Sequence, residues 1–151
     1  MTEAGKILLV EDSEQDVELT LSALTQHNLA NEVVVASDGE QALDYLYRRG
    51  TFADRDPVNP VVILLDIKLP KVDGLEVLQQ LRADSTLKFI PVVMLTSSRE
   101  ERDIVRSYDL GVNAYVVKPV EFQGFIEAIR ELGLFWAVLN QPPPRSESRR
   151  S

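Results

Sequence analysis

Apolar runs and helix-period segments alternate along the chain from Lys6 to Val138. KILLV (Lys6 to Val10) is uninterrupted after its lysine, the pattern of a strand covered on both faces. Ser13 to His27 then spaces Val17, Leu21 and Leu24 along one helical face. EVVVA (Glu32 to Ala36) predicts a second strand, and GEQALDYLYRR (Gly39 to Arg49) a second helix with Ala42, Leu43, Leu46 and Tyr47 turned inward. The loop GTFADRDPVNP is rich in turn formers and leads to VVILLD, a third strand opening at Val61 and ending on Asp66. Gly74 to Arg82 carries Leu75, Val77, Leu78 and Leu81 as a third helix, and Pro91 opens the strand VVML. Arg99 to Leu110 predicts a fourth helix, AYVV (Ala114 to Val117) a fifth strand and Glu121 to Val138 a last helix.

Five strands alternating with five helices imply right-handed crossovers. The expected fold is α/β: a doubly wound, five-stranded parallel sheet with helices on both faces, of the flavodoxin-like kind. One domain over 1–139 is expected, followed by a disordered tail over 140–151, where QPPPRSESRRS has no apolar face to bury.

In such a fold ligands bind beyond the carboxyl ends of the strands. The residues at those positions are Glu11 and Asp12 after the first strand, Asp66 on the third, Thr96 with Ser97 on the fourth, and Lys118 with Pro119 after the fifth. Three carboxylates, a hydroxyl and an ammonium would converge there. Two carboxylates about 4 Å apart repel by roughly 4 kcal/mol at an effective dielectric near 20. A hard divalent cation offsets that repulsion, and Mg²⁺ is the one that takes one or two carboxylates and completes its shell with water and phosphate oxygens. Each residue also has a plainer role open to it. Glu11 and Asp12 suit the cap of the first helix, Thr96 a strand end, Lys118 the surface.

Charge and composition narrow the function further. A net charge of −8 and a pI near 4.7 argue against a nucleic-acid surface. Without cysteine there is no disulfide frame, thiol nucleophile or thiolate-bound metal. No apolar leader follows Met1 and no stretch approaches the length of a membrane span, so the expected location is the cytoplasm. His27, the single histidine, lies in the polar stretch TQHNLAN and reads as an ordinary exposed residue, which leaves any phosphohistidine donor to another protein.

Four segments in register, LLVED, LLDIKLPKVDG, VVMLTSS and AYVVKP, resemble the signature segments of the receiver domain of two-component response regulators. The resemblance spans Lys6 to Val138. It implies that Asp66 accepts a phosphoryl group, that Asp12 binds Mg²⁺ directly with Glu11 assisting through a water, and that the backbone carbonyl of Lys68 is a further ligand. It implies that Thr96 and Lys118 contact the phosphoryl oxygens, that Pro119 follows a cis peptide, and that Tyr115 is an aromatic switch residue moving with Thr96. Pro70 and Gly74 belong to the turn that carries the backbone past the site. In relatives of this kind the residues two after the acceptor and two after the threonine govern hydrolysis. Here they are Lys68 and Ser98, which predicts slow self-dephosphorylation and no turnover chemistry.

Other readings meet obstacles in the residues. A haloacid-dehalogenase-type hydrolase needs a second acid two positions after Asp66, where this chain has Lys68, and the acids of EDSEQD would repel a flavin phosphate. A phosphorylation-independent adaptor and a phosphate sink stay open as alternatives to a signalling regulator. The loop RRGTFADRDPVNP and the aromatic end of the last helix resemble stand-alone regulators that partner bacterial phytochrome kinases. The expected partner is therefore a sensor histidine kinase, with no nucleic acid and no membrane. The apolar surplus of GFIEAIRELGLFWAVLN, with Phe122, Phe135 and Trp136 as contact candidates, predicts a homodimer. The face expected to carry it is built by the fourth helix, fifth strand and last helix.

Overall fold

The computed structural model describes residues 5–26, 31–112 and 114–134. Five parallel strands, β1 (Ile7–Val10), β2 (Val33–Ala36), β3 (Val62–Asp66), β4 (Val92–Thr96) and β5 (Ala114–Val117), form one sheet in the order β2-β1-β3-β4-β5. The helices between and after them are α1 (Glu14–Thr25), α2 (Gly39–Tyr47), α3 (Gly74–Ala83), α4 (Arg99–Ser107) and α5 (Phe122–Glu131). Strand order reverses between β1 and β3, which lie side by side with Val10 opposite Leu65. The acids after β1 and at the tip of β3 therefore meet at the switch point.

Every residue of β1, β3 and β4 is buried, which is why these strands read as unbroken apolar runs. Alternate side chains feed two layers. Leu8, Val10, Ile63, Leu65 and Met94 pack with Ala42 and Leu43 of α2 and Val77, Leu78 and Leu81 of α3. Ile7, Leu9, Leu64, Val93 and Leu95 pack on the other face with Leu24 of α1 and Phe125, Ile126 and Ile129 of α5. Ser13, Asp38, Asp73 and Ser98 cap the first four helices, each side chain accepting the backbone N–H three residues on.

Several boundaries and one side chain differ from expectation. Tyr47 is 36% exposed, and Tyr45 takes the core position at 3%. The loop after α2 is the reason. It forms a short 3-10 helix, Gly50–Phe52, which sets Phe52 edge-on to the Tyr45 ring at 5.2 Å. Arg55 lies over the same ring at 4.1 Å and donates from Nε to the Tyr45 carbonyl at 2.6 Å. The fourth helix stops at Ser107 instead of Leu110, with Asp109 left-handed at φ 52°. The last helix stops at Glu131: Gly133 has φ 72°, and Leu134 N–H donates back to the Ile129 carbonyl at 3.0 Å. The predicted continuation to Val138 fails at that point, and Phe135, Trp136, His27 and the expected tail lie outside the described residues. Among the described residues no helix is long and apolar enough to cross a membrane.

Candidate functional site

Asp66 sits at the tip of β3 at 4% exposure, with the buried Glu11 and the exposed Asp12 following β1 beside it. One carboxylate oxygen from each of the three lies within 4.8 Å of the others. Lys118 reaches this group from β5, at the sheet edge. Its Nζ donates to Asp66 Oδ2 at 3.0 Å, Glu11 Oε1 at 3.2 Å and Asp16 Oδ2 at 3.3 Å. The backbone N–H of Lys118 donates to the Thr96 carbonyl at 2.8 Å, and the Lys118–Pro119 peptide is cis. Thr96 is 1% exposed and its hydroxyl oxygen has no hydrogen-bond partner, although buried hydroxyls ordinarily find one.

The loop after Asp66 is held close by backbone fit. Gly74 N–H donates to the Ile67 carbonyl at 2.7 Å, and a methyl on Gly74 would lie 2.0 Å from the Asp66 carbonyl oxygen. Only glycine allows α3 to start against the acid-bearing strand. Lys68 and Pro70 line a 550 Å³ hollow with Asp12, Asp73 and Ile104, and the Lys68 ammonium is 3.6 Å from Glu101 Oε2. Glu101 also accepts the Ser97 N–H at 2.7 Å, and its own N–H is capped by Ser98 Oγ. The loop that follows Asp66 is thus tied by Lys68 to the first turn of α4.

Residues 7–130 match the response regulator receiver domain family. The chain belongs to this family. The bacteriophytochrome response regulator AtBRR is 63% identical, with a TM-score of 0.88 over 93% of this chain and 100% of that one. The phosphorylated cyanobacterial phytochrome response regulator RcpA is 42% identical, covering 88% of this chain and 94% of its own, with a TM-score of 0.71. Response regulator Rcp1 of Synechocystis sp. is 38% identical over 130 residues, 86% of this chain and 87% of Rcp1. A Mn²⁺-bound form of Rcp1 has a TM-score of 0.71 at 35% identity, over 93% of this chain and 99% of that one.

The receiver's acidic group carries a clear electrostatic signature. Burial, then the charge of Asp66, push the Glu11 carboxyl up to about 7, with the Ser13 N–H and the Lys118 charge pulling the other way. Burial opposes the Lys118 charge, yet the hydrogen bond and charge of Asp66 and then of Glu11 outweigh it and hold the ammonium firmly protonated. Glu11, Asp12, Asp66, Thr96, Lys118, Lys68, Pro70, Gly74 and Pro119 all gather at this rim. Tyr115 stands on β5, three residues before Lys118, half-buried, its hydroxyl 3.5 Å from the Val112 carbonyl and its ring 5.3 Å from the Arg106 guanidinium. Phe122 turns toward α1, packing on the second core layer and lining the α1–α5 cavity. Asp16 was missed from the sequence. Nothing in the sequence marked it beyond its being an acid in the first turn of α1.

Proposed function

We propose that this receiver takes a phosphoryl group from a sensor histidine kinase onto Asp66 in a Mg²⁺-dependent reaction and passes the signal on by protein contact. The observation that carries this reading is the buried Asp66 carboxylate, 3.0 Å from the Lys118 ammonium, with the unpartnered Thr96 hydroxyl on the neighbouring strand. An incoming group with several negative oxygens would satisfy both.

The donor set fits a hard divalent cation: Glu11, Asp12, Asp66 and the carbonyl of Lys68 offer oxygens only, and three carboxylates so close together need positive charge. Mg²⁺ held there would supply charge against the equatorial phosphoryl oxygens. Asp66 attacks the phosphorus of a phosphohistidine with one carboxylate oxygen. The P–N bond breaks, its electron pair goes to the imidazole nitrogen, and an acyl phosphate remains on Asp66. Lys118 steers one phosphoryl oxygen by charge, and Thr96 donates its hydroxyl to another. The product is lost slowly to water, which makes the chain a phosphoacceptor and not a turnover enzyme.

Likeness to AtBRR and RcpA supports a bacterial phytochrome as the kinase, and hence the cytoplasm as the place of reaction. Ile104, Tyr108 and Val117 are 53%, 50% and 58% exposed on α4, just beyond it and on β5, which supports a homodimer through that face. Intact-mass measurement after incubation with acetyl phosphate and Mg²⁺ tests the acceptor. Wild type gains one phosphoryl mass and Asp66→Asn does not; equal gain in both rejects the reading.

A further inference from the structure

Asp16 occupies the first turn of α1, where an acid ordinarily serves the positive end of the helix, and its own N–H is capped by Ser13 Oγ at 3.2 Å. Its side chain has a second engagement. An ammonium carries three N–H donors, and those of Lys118 go to Asp66, Glu11 and Asp16. Asp16 differs from its two companions in place and in exposure. It stands outside the Glu11, Asp12 and Asp66 group, and its side chain is 35% exposed where theirs are 1% for Glu11 and 6% for Asp66.

Two of the three acceptors of Lys118 are therefore carboxylates that a divalent cation would also use. The cation and the ammonium repel each other and compete for the same oxygens. A lysine held by Glu11 and Asp66 alone would be pushed aside by the ion beside which it has to act. We propose that Asp16 is a positioning residue that keeps the Lys118 ammonium next to Asp66 when a divalent cation is bound, an inference that rests on the phosphoacceptor reading of the site. Asp16 anchors the lysine from α1 with an oxygen that does not belong to the acidic group. The steering charge and the cation then occupy the site together.

Asp16→Asn removes the charge and keeps the shape at a half-exposed position. Two measurements decide the matter. The first follows the Lys118 ammonium by nitrogen-15 and carbon-13 resonances, assigned with Lys118→Arg, as Mg²⁺ is added. In the wild type the ammonium protons stay protected at saturating Mg²⁺, and in Asp16→Asn they pass to the rapidly exchanging state of a free lysine. Identical behaviour of the two proteins overturns the proposal. The second compares phosphorylation by phosphoramidate at saturating Mg²⁺ in wild type, Asp16→Asn, Lys118→Met and the double variant. Asp16→Asn slows the reaction about tenfold, and adds no slowing in the Lys118→Met background. A rate equal to wild type, or the same slowing in both backgrounds, overturns it as well. Failure of the underlying reading looks different: a wild type that gains no phosphoryl group rejects the acceptor site, while the resonance measurement still decides for or against Asp16.

Discussion

The carbonyl oxygen of Val72 occupies the space that a side chain on Gly39 would need, since a methyl group there would come within 1.7 Å of it. Gly39 opens α2 and Val72 belongs to the loop that carries Lys68 and Pro70. Lys71, left-handed at φ 69°, reinforces the contact by pairing with Asp38 at 3.6 Å and Glu40 at 3.4 Å. The corner after β2 thereby clamps the loop that follows Asp66.

Replacing Gly39 with alanine has to push that loop away. The expected cost is about 2–3 kcal/mol in urea unfolding. If the Lys68 carbonyl is a metal ligand as proposed, Mg²⁺ binding measured by calorimetry weakens as well, because that carbonyl moves with the loop. An unfolding midpoint and Mg²⁺ affinity equal to wild type would show that the loop has another resting place.

The raised Glu11 carboxyl gives stability a distinctive dependence on pH. Its folded value, about 7, lies above the ordinary 4.5, so its contribution is fully present below the ordinary value and is lost as pH climbs through 7. Denaturant unfolding without metal should show stability falling across that window, and Glu11→Gln should flatten the fall. Over the same window Mg²⁺ binds more tightly as protons cease to compete for the carboxylate. A metal-free wild type with a flat profile contradicts the burial argument.

Acyl phosphate lifetime depends on what stands over Asp66. The Lys68 side chain is 82% exposed and pairs with Glu101, and the Ser98 hydroxyl is occupied in capping α4. Neither offers the amide and carboxylate that would hold a hydrolytic water. Lys68→Asn with Ser98→Glu is expected to shorten the lifetime several-fold by decay of the phosphoryl mass, despite losing a cap worth about 1 kcal/mol. An unchanged or longer lifetime assigns the control of hydrolysis elsewhere.

Arg55 organises the long loop before β3. It donates to the carbonyls of Tyr45, Leu46, Asp56 and Val58 while covering the Tyr45 ring. Arg55→Ala should cost about 1–3 kcal/mol and open residues 49–60 to limited proteolysis. A loop as protease-resistant as before would mean that Phe52 alone holds it.

The strands and the acid-bearing rim were legible because both-face burial and strand-end position are written locally, residue by residue. Asp66, Glu11, Thr96 and Lys118 each stand at the end of an apolar run, and parallel topology brings those ends together. What was not legible depends on partners from elsewhere in the chain. Tyr45 displaces Tyr47 from the core because Phe52 and Arg55 return to meet it. The early stop of α5 turns on the left-handed backbone of Gly133, a conformation that the apolar periodicity around it conceals. Asp16 passed unnoticed because its partner, Lys118, lies 102 positions along the chain.

That long reach of Lys118 bears on how the protein is made. The lysine stands 107 positions after Glu11 and 52 after Asp66, just past the fifth strand of the sheet. Until β5 docks, the emerging chain holds its acids at the centre of the sheet without the ammonium that offsets them. Their repulsion works against the seating of β1 beside β3 at that end, and arrival of β5 relieves it. Synthesis halted before Lys118 would leave that repulsion in place and the apolar run of β4 without its outer neighbour, open to chaperones and proteases.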